Sequence, residues 1–192
     1  MMHPEFFDFK SINDYQEKIA NGKVILQPED RKKIIVQEGK RLAEASGFYL
    51  VEDDELLEEI VGLTEFPIPL LGKIPEELLS IPEEVIITSM REHQKFLSLR
   101  SSINGKVEGF LLITDLETHD QQKTILSGNM RVLNSRLKDA IFFYQNDLDL
   151  VKHHGMMAWN DKLKSVKFHE KLGSQYNSCL LYTSPSPRDL RK

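Results

Sequence analysis

The dipeptide Asn104-Gly105, placed between two apolar runs, constrains the fold of this chain more than any other feature. An Asn-Gly pair readily adopts the positive φ angles that a tight β-hairpin turn requires. The flanking runs, Phe96–Leu99 and Val107–Thr114, have the length and apolar content of strands. The sequence therefore predicts an antiparallel hairpin over residues 96–114.

Helical patterns surround this hairpin. The longest pattern runs from His119 to about Asn146, and within it a long amphipathic helix is predicted over residues 128–146. Apolar side chains recur there on one helical face and predict a buried stripe. That stripe contains Leu133, Leu137, Ala140, Ile141 and Tyr144. Shorter helices are predicted over residues 11–20, 28–46, 53–63, 83–94 and 161–172, with Asp53 as an N-terminal cap.

Short strands complete the predicted architecture. Residues 24–26 and 48–51 have strand-like composition, and the alternate prolines in residues 66–72 favour an edge strand or an extended loop. Mixed strands and helices in this order are typical of an α/β (α+β) domain. We therefore predict a small sheet that contains the hairpin and is flanked by several helices, including the long amphipathic one.

The composition is that of a globular domain. The 192 residues contain 25 Lys and Arg against 30 Asp and Glu, which gives a net charge of −5, and 40% are hydrophobic. No apolar run approaches the roughly 20 residues of a membrane-spanning helix, and we expect no secretory signal. The acidic balance argues against autonomous nonspecific nucleic-acid binding, although it permits a local basic patch.

The C-terminal residues differ in character from the rest of the chain. Residues 179–189 resemble the translation of a sequencing adapter joined to a truncated gene, so we predict that residues 179–192 form an artefactual or disordered tail. Residues 1–178 are then expected to be a partial α/β domain, truncated at both ends. Because Cys179 is the single cysteine, an intrachain disulfide is excluded.

The common catalytic and metal-binding motifs are missing from the sequence. It contains no Gly-rich phosphate loop, dinucleotide-binding fingerprint, nucleophile elbow or His-Glu-x-x-His motif. His153, His154 and His169 could suggest a metal site, but adjacent histidines cannot share one helical face, and no carboxylates at a matching spacing support such a site. We therefore assign no catalytic residue and no metal ligand.

Two donor-rich segments are candidate binding sites. The first, Met90–Phe96, ends a predicted helix just before a strand. It is either a basic C-terminal turn that suits the helix dipole or a polar platform for an anion or a nucleotide. The platform residues are Arg91, His93, Gln94 and Lys95.

The second segment begins the long helix at Gly128-Asn129. Asn129 is a candidate cap, and the exposed backbone N–H groups there can bind an anion. Arg131 and Arg136 lie off the buried stripe, where each can meet a carboxylate or a phosphate. We expect nearby carboxylates to hold Arg131 or Lys123 in place, and these are Asp115, Glu117 and Asp120.

Motifs in a fixed order carry a family resemblance. They are Ile87–Phe96 (Ile-Thr-Ser-Met-Arg-Glu-His-Gln-Lys-Phe), Asn104-Gly105 with Phe110–Ile113, Gly128–Leu133 with Arg136–Ala140 and Phe142-Phe143, and finally Phe168–Gly173. In this order and spacing they resemble the β subunit of bacterial heterotetrameric glycyl-tRNA synthetase, from about His3 to Gly173. The chain departs from that family at Met130, where Glu is usual, and at Asp115, where Asn is usual.

The resemblance implies a role in protein synthesis. In this family the α subunit holds the class II catalytic core for glycine and ATP (with Mg), and the β subunit supplies tRNA recognition in an α2β2 assembly. The implied partners are therefore the α subunit and tRNA(Gly), in the cytoplasm and without a membrane. The matching part of the β subunit is an internal N-terminal α/β module, for which we expect no cofactor and no activity on its own.

Three interpretations follow. In the first, the segment contacts tRNA through Arg91, His93, Gln94, Lys95, Asn129, Arg131 and Arg136. In the second, it is a non-catalytic protein-interaction module whose polar motifs are structural, with Arg91, His93 and Arg131 paired to Asp115 or Glu117. In the third, a vestigial hydrolase pocket surrounds His93.

Overall fold

The hairpin forms the centre of a four-stranded antiparallel sheet in a computed structural model, which describes residues 8–183. The chain divides into two compact units, Met1–Ile141 and Phe142–Lys192. The sheet belongs to the first unit, and its strand order is β1-β3-β4-β2. The strands are β1 (Phe48–Leu50), β2 (Ile68–Lys73), β3 (Leu97–Ser101) and β4 (Val107–Thr114).

Helices and turns surround this sheet. They are α1 (Ile12–Asn21), α2 (Pro28–Ala45), α3 (Asp54–Leu63), a 3-10 turn (Glu76–Leu78), α4 (Glu83–Thr88), a π-helix (Ser89–Gln94) and α5 (Lys123–His154). In the second unit, α5 is followed by α6 (Met157–Lys162), β5 (Lys167–His169), β6 (Gly173–Ser174) and α7 (Gln175–Thr183). The predicted α/β class, with its hairpin and long amphipathic helix, is confirmed.

The hairpin turn uses the predicted dipeptide. Gly105 adopts φ +71°, and the Asn104 Oδ1 accepts a hydrogen bond of 2.9 Å from the Lys106 N–H. The Arg100 guanidinium donates to the Gly105 carbonyl at 2.7 Å and also pairs with Glu83, so the turn is tied to the start of α4.

The core of the first unit lies where α2 and α3 cover the sheet. Ile35, Gly39 and Ala43, spaced four residues apart on α2, are buried against it. Gly39 permits this close approach, because a Cβ there would lie 2.7 Å from the Leu111 side chain. The buried cluster consists of Ile35, Ala43, Phe48, Leu56, Leu57, Ile60, Val61, Leu97, Leu99 and Leu111.

On the sheet, Phe110 packs over a glycine. Its ring stacks on Phe96, with centroids 4.7 Å apart and an interplanar angle of 12°. Gly72 is paired with Phe110 across β2 and β4, and a Cβ on Gly72 would lie 2.2 Å from the Phe110 ring. The position therefore requires glycine for space. Strand β2 lies at the sheet edge and contains Pro69, which confirms the predicted edge strand.

Two predicted elements, one strand and one helix, do not form in the structure. Residues 24–26 form no strand, and Ile25 donates a single backbone hydrogen bond to Glu65. Residues 161–172 do not form the predicted helix, because α6 ends at Lys162 and a β5–β6 hairpin follows. Apolar Val166 and Phe168 alternate there with polar neighbours, which is the period of a strand.

The long helix begins earlier than predicted, at Lys123, so Asn129 lies inside it and does not cap it. The Asp120 carboxylate accepts from the Thr124 N–H at 2.8 Å, and Thr118 accepts from the Gln122 N–H at 2.9 Å. Hydrogen bonds from the hydroxyls of Thr118 and Thr124 lower the pKa of Asp120 to about 2.

The C-terminal tail was predicted over residues 179–192, of which residues 184–192 lie outside the described residues.

We predict that Gly72→Ala lowers the free energy of unfolding by about 1–3 kcal/mol, because its methyl group overlaps the Phe110 ring. The matched control is Gly62→Ala in α3, where a Cβ would meet nothing within 4 Å. That variant should gain up to about 1 kcal/mol of stability from helix propensity. Urea unfolding of both variants tests this, and equal effects would contradict it.

Candidate functional site

The first predicted site lies where α4 passes into the π-helix. Lys95 then adopts a left-handed conformation (φ 55°), and the Phe96 N–H donates to the Met90 carbonyl at 3.1 Å. Met90 and Phe96 are buried, while His93 is exposed and Gln94 half-buried. The π-helix therefore anchors two apolar residues and leaves the polar residues between them at the surface.

Arg91 is fully engaged within the protein. Its guanidinium contacts three carboxylates, those of Asp53 at 2.9 Å, Glu55 at 2.6 Å and Glu92 at 2.6 Å. We call these four residues the Arg91 cluster. The Asp53 side chain also caps α3, since its Oδ1 accepts from the Leu56 N–H at 3.0 Å.

Lys95 makes a parallel contact, because its Nζ lies 2.9 Å from Glu59. The π-helix is thus joined to α3 by two cations on its surface. This agrees with the interpretation of Arg91 as a structural residue, but its predicted partners, Asp115 and Glu117, are wrong.

Charge and hydrogen bonding shift the pKa values of Asp53 and Arg91 within the Arg91 cluster. Burial raises the pKa of Asp53, but the hydrogen bond from the Leu56 N–H and the hydrogen bond and charge of Arg91 outweigh it, so the pKa lies below its usual value. The hydrogen bonds from Arg91 to Asp53, Glu92 and Glu55 raise the pKa of Arg91 further above its usual value. Both residues are therefore held in their charged forms.

The second predicted site is divided between two sides of α5. Arg136 and His93 line a cleft of about 470 Å³ between α4, the π-helix and α5, which we call the α4–α5 cleft. Its lining consists of Glu84, Val85, Thr88, Ser89, His93, Arg136, Asp139 and Ala140. The structure thus brings together two predicted residues from separate sequence motifs.

Arg131 lies on a different surface. It lines a groove of about 640 Å³ along α5, which we call the basic groove. The lining consists of Lys123, Leu126, Ser127, Met130, Arg131, Asn134, Ser135 and Lys138. Sequence reasoning missed Lys138, and it assigned Lys123 only an internal partner. A helix that begins at Lys123 would have placed Lys123, Arg131 and Lys138 on one face, because they are eight and seven residues apart.

Within residues 8–183, the cations of the basic groove have no carboxylate partner. Among the residues that the structure describes, Lys123, Arg131 and Lys138 form no ion pair. The buried Asn134 Oδ1 in the same groove also has no hydrogen-bond partner there. This surface therefore exposes uncompensated positive charge in an acidic chain.

The three acidic residues expected to hold Arg131 or Lys123 have other roles, so that expectation is wrong. The Asp115 Oδ1 accepts from the N–H groups of Glu65 (3.2 Å) and Phe66 (3.0 Å), and Glu117 pairs with Lys23. Asp120 binds the start of α5. The anion-binding argument for Asn129 is also lost, because this residue lies inside α5 and its Nδ2 donates to the Ile125 carbonyl at 2.9 Å.

The described residues show neither a hydrogen-bonded catalytic pair around His93 nor a metal-ligating cluster. The His93 side chain makes no hydrogen bond there, whereas a general base is normally oriented by one. Residues 8–183 contain no group of three or more His, Cys, Asp or Glu side chains arranged to hold a metal ion. No helix in this range is long and apolar enough to cross a bilayer.

Comparison with known proteins gives one consistent family. A sequence profile described as "Glycyl-tRNA synthetase beta subunit" matches residues 1–180. The glycine–tRNA ligase β subunit of Paracoccus denitrificans is 45% identical over 174 residues, which are 91% of this chain and 25% of that relative. The β subunit of Dinoroseobacter shibae is 47% identical over 164 residues, which are 85% of this chain and 23% of that relative. The β subunit of Rickettsia prowazekii is 41% identical over 170 residues, 88% of this chain and 24% of its own length. The chain thus spans about a quarter of the length of these curated relatives.

We predict that Arg91→Ala lowers the free energy of unfolding by more than the loss of a single surface ion pair does, because it leaves Asp53, Glu55 and Glu92 without their shared cation. The control is Arg41→Ala, which removes one exposed pair with Glu38. That change should cost less than about 1 kcal/mol. Equal losses in a urea titration would show that the Arg91 cluster adds nothing beyond a surface ion pair.

A second prediction concerns how the stability contributed by Asp53 depends on pH. Because the folded pKa of Asp53 lies below its unfolded value, its contribution to stability is complete above about pH 4 and is lost as the pH falls through the folded pKa. Asp53→Asn keeps an oxygen that can cap α3 but cannot ionise. The stability difference between wild type and this variant, measured by urea unfolding, should shrink from about pH 7 to about pH 3. A difference independent of pH would contradict the assignment.

Proposed function

This chain belongs to the glycyl-tRNA synthetase β-subunit family, and we propose that it is a segment of such a subunit that contributes to recognition of tRNA(Gly). The intact protein would then serve the ATP-dependent attachment of glycine to tRNA in the cytoplasm. Its partner would be an α subunit that uses ATP with Mg, in an α2β2 assembly. The segment itself would hold no cofactor.

The basic groove supports this proposal most directly. Its three cations lie between Lys123 and Lys138 of α5. They span about 22 Å at the helical rise of about 1.5 Å per residue. Because no carboxylate in the described part of the chain pairs with them, they are available to phosphates. Because the whole chain carries a net charge of −5, RNA binding would depend on such local basic surfaces, which suits a segment that positions RNA within a larger assembly.

The Arg91 cluster has a different role in this proposal. Arg91 and Lys95 already contact four carboxylates of the protein, so an RNA phosphate would have to displace them. They therefore position the π-helix, and RNA contact falls to Arg131 and to Arg136 and His93 in the α4–α5 cleft.

A protein-interaction module remains the second candidate. It is favoured by large hydrophobic residues that are exposed in the second unit. They include Phe142 (60% exposed), Phe143 (64%), Met156 (64%), Met157 (69%) and Leu172 (61%). Exposed apolar side chains in such numbers are typical of surfaces that meet another protein segment. This candidate predicts that the basic groove can be neutralised without effect on tRNA.

We therefore predict that Lys123→Gln, Arg131→Gln and Lys138→Gln together raise the KM for tRNA in the intact β subunit assembled with its α subunit, with little change in kcat. Losing three phosphate contacts should reduce the slope of log affinity against log salt by roughly 2–3. Aminoacylation and tRNA binding at several salt concentrations test this.

The matched control replaces Lys106, Lys162 and Lys171 with Gln, which removes the same charge from exposed positions outside the basic groove. If both triple variants raise KM equally, the effect is one of net charge alone. If neither does, the basic groove does not contact tRNA and the protein-interaction candidate is favoured.

A further inference from the structure

The α4–α5 cleft contains a set of polar side chains that the fold does not use. Glu84, His93, Arg136 and Asp139 all line it, together with the hydroxyls of Thr88 and Ser89. Among the described residues, none of these six side chains forms a hydrogen bond or an ion pair, whereas Arg91, Lys95 and Arg100 on neighbouring elements are all paired. Five of these residues are exposed to solvent and Ser89 is half-buried, so their polar atoms are accessible to a ligand that enters the cleft.

The mixture of these groups restricts the ligand. Glu84 and Asp139 would repel a bare phosphate or another simple anion, and Arg136 would repel a simple cation. The ligand must therefore offer hydrogen-bond donors to the carboxylates and an acceptor or negative charge to the guanidinium. His93 adds a flat ring that can stack on a base or exchange a hydrogen bond.

A ribonucleotide meets all of these requirements. Its phosphate suits Arg136, its ribose hydroxyls donate to carboxylates, and its base can stack on His93. A cleft of about 470 Å³ also lies within the range of about 300–1,000 Å³ that is common for sites of small organic ligands.

The position on α5 connects the cleft to the basic groove. By helical periodicity, Arg136 and Asp139 lie on one flank of the buried Leu133 and Leu137 stripe, and Arg131 lies on the other. The helix between them is only about 10 Å across. An RNA strand held by the basic groove can therefore place a nearby nucleotide in the cleft.

We propose that the α4–α5 cleft binds one unpaired ribonucleotide of the RNA and reads its ribose through Glu84 and Asp139. This inference rests on the proposed function and adds a sugar-specific contact to it. A single strand is the natural source, because a base must be unstacked to reach a cleft. The carboxylates distinguish RNA from DNA, since the 2′-hydroxyl is the donor that DNA lacks.

The test compares a short unstructured oligoribonucleotide with the oligodeoxyribonucleotide of the same sequence, using the full chain and fluorescence anisotropy. Wild type should favour the ribo strand about five- to tenfold, the effect of one or two hydrogen bonds. Glu84→Ala with Asp139→Ala should bring this ratio close to one. A thermal melt establishes that each variant is folded.

The matched control is Glu44→Ala with Asp147→Ala, which removes two exposed acidic residues outside the cleft. Because removing acidic residues strengthens all binding to polyanions, the ribo-to-deoxy ratio is the decisive quantity and should stay at its wild-type value in this control. A ratio near one in wild type, or an unchanged ratio in the Glu84→Ala, Asp139→Ala variant, overturns the inference.

The two proposals fail in different ways. Neutralising Lys123, Arg131 and Lys138 should weaken both strands equally and leave the ratio unchanged. If it weakens neither while the ratio still depends on Glu84 and Asp139, the basic groove is refuted and the cleft stands. If both strands bind with equal affinity and respond to the basic groove alone, the cleft is refuted. Binding of neither strand refutes both.

Discussion

The contact between Asp53 and Arg91 joins two parts of the first unit that lie far apart in the sequence. One carboxylate oxygen of Asp53 caps α3, and the other binds the guanidinium of Arg91 on the π-helix. Local capping and tertiary attachment therefore depend on the same side chain. The ion pairs Arg91–Glu55 and Lys95–Glu59 strengthen this attachment. They fix the π-helix against α3 just before the chain enters β3.

The division between paired and unpaired cations organises the functional surfaces. Arg91, Lys95 and Arg100 are neutralised inside the first unit, where they hold elements together. The cations along α5 have no such partners among the described residues, so their charge is directed outward. In the proposed function, this outward-facing positive charge is what would meet the phosphates of RNA in an otherwise acidic chain.

Much of the fold could be read from local patterns. The Asn104-Gly105 turn, the Asp53 cap and the proline-containing edge strand each depend on neighbouring residues, and each was predicted correctly. The partners of Arg91 could not be read, because Asp53 and Glu55 lie 38 and 36 residues away in sequence. The start of α5 was misplaced because Gly128-Asn129 has the composition of a helix N-terminus. In the structure the side chains of Thr118 and Asp120 accept the hydrogen bonds from the backbone N–H groups at the start of α5. With the helix predicted to begin at residue 128, Lys123 lay outside it and was not placed on the same helical face as Arg131.

The composition of β2 has a consequence for self-association. This strand lies at an open edge of the sheet, where exposed backbone groups could recruit a strand from another molecule. Pro69 supplies no amide hydrogen, and Pro67 precedes the strand, so an incoming chain would find gaps in its hydrogen-bond ladder. The prolines thus disfavour edge-to-edge aggregation, to which proteins with β-sheets are exposed during synthesis.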